Sequence, residues 1–238
     1  MSSFEVFGLG SNIPALNINK NTRFKAEKRK YRVSFYTKTG INPNNPDAEM
    51  VALTPVKRLY HPSVGYFVDH GTEYQKLSKD GKSGKQYIAV TVCLWPVNAQ
   101  NGQLDQSRLA SGEYEVKNWV MGLDKFNQLT SINSEYPLIE HDLKIDCTEV
   151  QFQKMNFSPC RDSVLRKLKT DKESMYKEIM QIVEGVFEKQ PQDLARDLTL
   201  DQIREKISGE VSSPLGNSSS FSSDSNFDDL LDNVLDKD

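Results

Sequence analysis

The chain has 238 residues, 37% of them hydrophobic, and its 30 Lys or Arg against 33 Asp or Glu give a formal net charge of -3. That length and apolar content suit one substantial domain with appendages rather than two full domains. The longest apolar run, YIAVTVCLW at residues 87–95, falls far short of the roughly 20 residues that span a bilayer, and the opening MSSFEVFGLGSN lacks the basic and apolar regions of a secretory signal, so the expectation is a cytoplasmic protein away from membranes.

In chain order, residues 1–22 read as an N-terminal arm leading into KNTRFKAEKRKYR at residues 20–32, where cations are interleaved with aromatic rings. Residues 1–60 hold ten Lys or Arg against Glu5, Glu27, Asp47 and Glu49. KYRVSFY then alternates, which places Tyr31, Val33 and Phe35 on one strand face and Arg32, Ser34 and Tyr36 on the other. Six further runs, MVALTPVKRLY, GYFVDHGTEYQKL, KQYIAVTVCLWPV, EYEVKNWVMG, LKIDCTEV and QFQKMNF, are rich in β-branched and aromatic residues and separated by turn-forming pairs. They predict a mainly β body over residues 23–160, an antiparallel barrel or sandwich with long loops. One helix interrupts it, GLDKFNQLTSINSEY, with Asp124 as N-cap and Phe126, Leu129 and Ile132 facing inward.

Beyond Pro159 the period changes to 3.6. SVLRKLKTDKESMYKEIMQIVEGVFEKQ sets Met175, Ile179, Ile182, Val183 and Val186 in one stripe, and LTLDQIREKI follows with Thr199 and Gln202 at capping-box spacing. These are appended C-terminal helices over residues 161–207, and the stripe serves either a homo-oligomer or docking onto the β body. Residues 208–238 are a Ser-rich linker and an acidic tail, expected to be disordered. From Asp224 onward there are six Asp and one Lys, a net -5 that leaves the first 223 residues at +2. Such polarity between chain ends points to a polyanionic partner.

Enzyme chemistry finds no foothold. DGKSGKQY at residues 80–87 is close to a phosphate loop, but Lys76 stands where the Walker pattern needs Gly and Gln86 follows the second Gly-Lys pair, so it reads as a hairpin loop carrying cations. Cys93, Cys147, Cys160 and the three His show no paired metal spacing, so no zinc and no other cofactor is expected, and the cysteines read as free buried thiols of a reducing compartment. His141 with Cys147 makes a weak nucleophile and base pair, and Asp142 and Asp146 read as solvent-facing or turn-capping.

What remains is the mixture of rings and cations. A non-specific single-strand binder needs a basic groove for phosphates and rings on which bases stack. Lys28, Arg29, Lys30 and Arg32 surround Tyr31 and Tyr36, Lys57 and Arg58 precede Tyr60, and Lys76, Lys79, Lys82 and Lys85 lie between Tyr74 and Tyr87. Any single aromatic is more often core than platform; the conjunction with an acidic tail favours binding. Tyr31, Tyr36, Tyr60 and Tyr66 are the stacking candidates, with Tyr36 preferred on its strand because it shares a face with Arg32. Lys28, Arg29, Lys30, Arg32, Lys57 and Arg58 are the phosphate candidates, joined by Lys76, Lys82 and Lys85.

In organisation the chain resembles the single-stranded DNA-binding proteins of tailed bacteriophages, and NWVMGLDKFNQLTSINSEYPLIEHDLKIDCTEVQFQKMNF is similar to a segment of them through Trp119, Phe126, Leu129, Asp142, Ile145, Gln151, Phe152 and Gln153. The resemblance implies an OB-like body that coats exposed DNA strands in replication, recombination or repair, and a tail that recruits replication partners. It does not imply zinc, since the Cys and His spacing of zinc-holding members is missing, and the tail ends on Asp238 rather than on the terminal Phe of bacterial relatives. In the tail, Phe227, Leu230, Leu231, Val234 and Leu235 form an apolar stripe at helical spacing, flanked by Asp228, Asp229, Asp232 and Asp236. The stripe suggests a partner-binding element. Two alternatives stay open: a factor that brings a phage RNA polymerase to melted template, and an adaptor without nucleic acid whose tail only solubilises.

Overall fold

The computed structural model describes residues 22–147, 155–190 and 194–211, with residues 210 and 211 in backbone only. The strands are β1 (Lys30–Phe35), β2 (Thr37–Lys38), β3 (Met50–Val51), β4 (Leu53–His61), β5 (Gly65–Val68), β6 (Lys85–Trp95), β7 (Glu115–Gly122), β8 (Leu143–Asp146) and β9 (Asn156–Pro159). The helices are α1 (Thr72–Lys76), α2 (Gln106–Ala110), α3 (Leu123–Glu135), α4 (Val164–Asp171), α5 (Glu173–Phe187) and α6 (Leu200–Val211). Six of the seven predicted runs contain a strand; the seventh, QFQKMNF, meets β9 only at Asn156 and Phe157, its residues 151–154 lying outside the described ones, and the fold is mainly sheet. α1 falls inside a run read as wholly extended.

The sheet is antiparallel in the order β5-β4-β6-β1-β8-β9, with β7 also paired to β6. β6 is the hub. β7 pairs it from Tyr87 to Leu94, while β4 takes its first half, Lys85 to Val90, and β1 its second, Val92 to Trp95. Because two strands share β6 end to end, the sheet fans into two wings. The expected closed barrel does not form: among the described residues the path ends at β5 and β9 without returning on itself, and helices cover the faces instead.

The alternation of β6 divides two cores. Val90, Val92 and Leu94 face Val33, Phe35, Trp119, Met121 and Leu129, with Phe126 and Ile132 of α3 packed against them. Gly122 caps α3, and Asp124 lies in the first turn rather than at the cap. Cys93 and Trp95 face the other way, toward Tyr36, Leu165, Leu168, Ile179 and Val183. The predicted stripe of α5 is therefore spent on the sheet. α4 and α5 are separate helices, broken at Lys172, whose ψ of 64° is not helical; a single straight helix of their combined length, about 35 Å, could not lay both apolar faces on one core.

After α5 the chain wraps the sheet edge. Arg196 bridges Phe67 in parallel, donating its amide to the Tyr66 carbonyl and accepting from Val68. α6 then buries Ile203 against Leu59, Val64 and Phe67. Its start is the predicted capping box: Gln202 N–H donates to Thr199 Oγ1 at 3.3 Å and Thr199 N–H to Gln202 Oε1 at 2.9 Å. Among the described residues no helix is long and apolar enough to cross a membrane. The expected partner-binding residues, Phe227, Asp228, Asp229, Leu230, Leu231, Asp232, Val234 and Leu235, lie outside the described residues, as do positions 151–153 of the resemblance and the arm up to residue 21.

Candidate nucleic-acid interface

β4 lies between β5 and β6, and this order builds the site. Tyr60 stands directly opposite Tyr66 on β5, while Arg58 stands opposite Lys85 on β6 and Val68 on β5. Directly paired residues share a face, and diagonal neighbours come within reach of long side chains. Tyr66 and Tyr87 thus approach Arg58 from opposite sides, with the guanidinium carbon 3.9 Å and 3.6 Å from their ring centroids. Tyr60 leans on Tyr66 at 5.1 Å and 52°. Residues 78–85 rise beside these rings and close a cleft of about 300 Å³, whose rim carries exposed Lys79, Lys82 and Lys85.

The cation loop is anchored at both ends. Lys79 donates its amide to the Tyr60 carbonyl at 2.8 Å, and Gly84 donates to Asp69 Oδ2 at 2.8 Å. Burial alone would push the Asp69 carboxyl up. The amides of Gly84 and Gly71, Gln75 and the Lys57 ammonium at 3.7 Å outweigh it and hold Asp69 below the usual carboxylate range. Gly84 itself has no room for a side chain, since a Cβ there would meet the Arg58 carbonyl oxygen at 2.6 Å. Gly84→Ala is expected to cost about 1–3 kcal/mol through this overpacking and to splay the loop from β4, read as a lower melting temperature together with faster exchange of the Lys79 amide that bonds the Tyr60 carbonyl.

Several sequence candidates converge here: Arg58, Tyr60, Tyr66, Lys82 and Lys85. Tyr87 and Lys79 join them; the sequence showed both in the run of cations between tyrosines but placed neither among the stacking or phosphate candidates. The signal for Tyr87 was its place at the start of β6, in register with Val56 beside Arg58.

Others do not converge. Tyr36 is 4% exposed and packs on Phe187 in the second core, so it offers no platform. Tyr31 is equally buried, under the Arg29 guanidinium at 4.7 Å. Arg32 is 8% exposed and committed: its Nε donates to Asp142 Oδ2 and its Nη2 to Asp162 Oδ1, both at 2.7 Å. It is a core ion pair, not a phosphate ligand. Asp142 is fully buried rather than solvent-facing, and also accepts from Ser34 Oγ and the Val164 amide. Arg58, at 3% exposure, is likewise withdrawn from solvent. Lys57 points to the opposite face, toward Asp69, and Lys76 is held by Glu73 at 2.6 Å.

Lys28, Arg29 and Lys30 sit at the far end of the sheet. With Arg32 opposite Trp95, Lys30 is level with residue 97, and Lys85 opens β6 at its other end. Twelve residues of strand separate them, at most about 40 Å. Between the two groups the face is covered by α5, whose outer side exposes Glu178, Glu184 and Glu188. A polyanion crossing directly would meet carboxylates, so the three cations form a second patch and not a continuation of the cleft.

All three cysteines are free and buried. Burial raises the Cys93 thiol and pushes Cys147 to about 11, which keeps both protonated at neutral pH. His141 faces the Cys160 carbonyl through Nδ1 at 3.0 Å. Among the described residues no three His, Cys, Asp or Glu side chains stand together as a metal site. Comparison of the chain with protein-family models, with curated proteins and with solved structures finds no match.

Proposed function

We propose that the chain is a single-stranded DNA-binding protein whose binding site is the cleft between the β4–β5 hairpin and residues 78–85. One observation carries this reading: three half-buried tyrosine rings and three exposed lysines converge on one anchored cleft. Rings of this kind stack bases at roughly 1–3 kcal/mol each, and the rim supplies cations for the flanking phosphates. The fanned sheet serves as an open OB-like body, and the resemblance to phage proteins supports coating of exposed strands in replication, recombination or repair. The acidic tail, on this reading, recruits the partner proteins.

The test is titration of an oligo-dT with the full chain at several salt concentrations. Affinity falls linearly with log salt, with a slope near -0.7 for each lysine engaged, hence about -2 for the cleft rim. Affinity indifferent to salt, or equal affinity for duplex, overturns the proposal in favour of an adaptor role.

A further inference from the structure

Arg58 occupies the slot that a base would take between Tyr66 and Tyr87, and it is held there from a third direction, its Nη1 donating to the Leu194 carbonyl at 3.3 Å. Leu194 belongs to the segment that wraps the sheet edge, and Arg196 two residues later donates its amide to the Tyr66 carbonyl. Guanidinium and ring are therefore fixed by one stretch of chain. At 3% exposure the cation is out of reach of a strand passing over the rim.

We infer that Arg58 is a positioning residue. It is a flat spacer that keeps the Tyr66 and Tyr87 rings apart and upright, so that bases stack on their outer surfaces and on Tyr60, while the charge of the strand is met by Lys79, Lys82 and Lys85. The inference rests on the strand-binding reading above. Its chemistry is that of a delocalised plane, which stacks on rings on both sides as a lysine ammonium cannot. An arginine that served phosphate would instead show in the salt slope, which a lysine in its place would keep and a neutral residue would make shallower by about 0.7.

The experiment separates plane from charge. Wild type, Arg58→Lys and Arg58→Gln are titrated with an oligo-dT of about 16 nucleotides, the upper site size of one OB-type body, across a salt series. The spacer role gives Arg58→Lys an affinity roughly tenfold lower, Arg58→Gln a smaller loss because its amide is flat, and all three the same salt slope. Wild-type affinity in Arg58→Lys, with a slope shallower by about 0.7 in Arg58→Gln, makes Arg58 a phosphate ligand and overturns the inference. Should the variants fold poorly, NMR of the wild type decides: the Arg58 side-chain protons are shifted upfield by the two ring currents, and unshifted protons overturn the spacer. A wild type that binds no oligo-dT overturns the strand-binding reading and, with it, the purpose assigned to the platform.

Discussion

Replacing Arg32 by Ala is expected to lower stability by about 3–5 kcal/mol, the usual cost of stranding a buried charge, and to drop the melting temperature by roughly 6–20 °C in a chain of this size. The reason is Asp142. Without Arg32 this fully buried carboxylate keeps only Ser34 Oγ and the Val164 amide, and burial pushes its pKa up while Arg32 is the first influence opposing that rise. A carboxyl whose folded pKa lies above its unfolded value stabilises the fold fully below about pH 3.9 and loses that contribution as pH rises through the folded pKa. The deficit of Arg32→Ala is therefore larger at pH 7 than at pH 4.5. Thermal unfolding at the two pH values checks it; a variant that melts like the wild type at both would show that Arg32 does not sustain the buried Asp142 carboxylate.

Removing the three rim lysines together, Lys79, Lys82 and Lys85 to Ala, is expected to weaken oligo-dT binding about 50-fold near 0.15 M salt. Each lost contact removes about 0.7 from the slope, which over three contacts comes to nearly two decades between that concentration and 1 M. Stability should change little, since all three side chains are exposed. Neutralising Lys28, Arg29 and Lys30 instead should leave the slope near its wild-type value, because they stand at the other end of β6 beyond the acidic side of α5. If the second triple flattens the slope and the first does not, the strand binds at that end and the cleft is not the site.

These contrasts show which parts of the fold were legible in the sequence. The strands were, because a run such as YIAVTVCLW admits little else. The choice of Tyr36 and Arg32 failed because alternation was read as one buried face and one wet face. Yet the unbroken apolar run of β6 already implied cover on both sides, and β1, paired to it, shares that cover. Asp142 was in plain sight in the sequence, but its pairing with Arg32 spans 110 residues and no local pattern encodes it. The cleft was half legible: the lysines between Tyr74 and Tyr87 were visible as a group, whereas the meeting of Tyr66 and Tyr87 across Arg58 depends on which strands flank β4. The helical stripe of α5 was read correctly as apolar, and only the packing decided that it meets the sheet.

The pairing of Arg196 with the edge of β5 also has a consequence for biosynthesis. During translation the β4–β5 hairpin leaves the ribosome long before its covering residues exist: 128 positions separate Val68 from Arg196, roughly 6–26 s at 5–20 residues per second. For that interval the nascent chain displays an unpaired strand edge together with Phe67 and Leu59, which α6 later buries through Ile203, and such edges invite pairing with neighbouring chains. A message cut short before the codon for Arg196 would yield a product that keeps its tyrosines and lysines but collects in inclusion bodies.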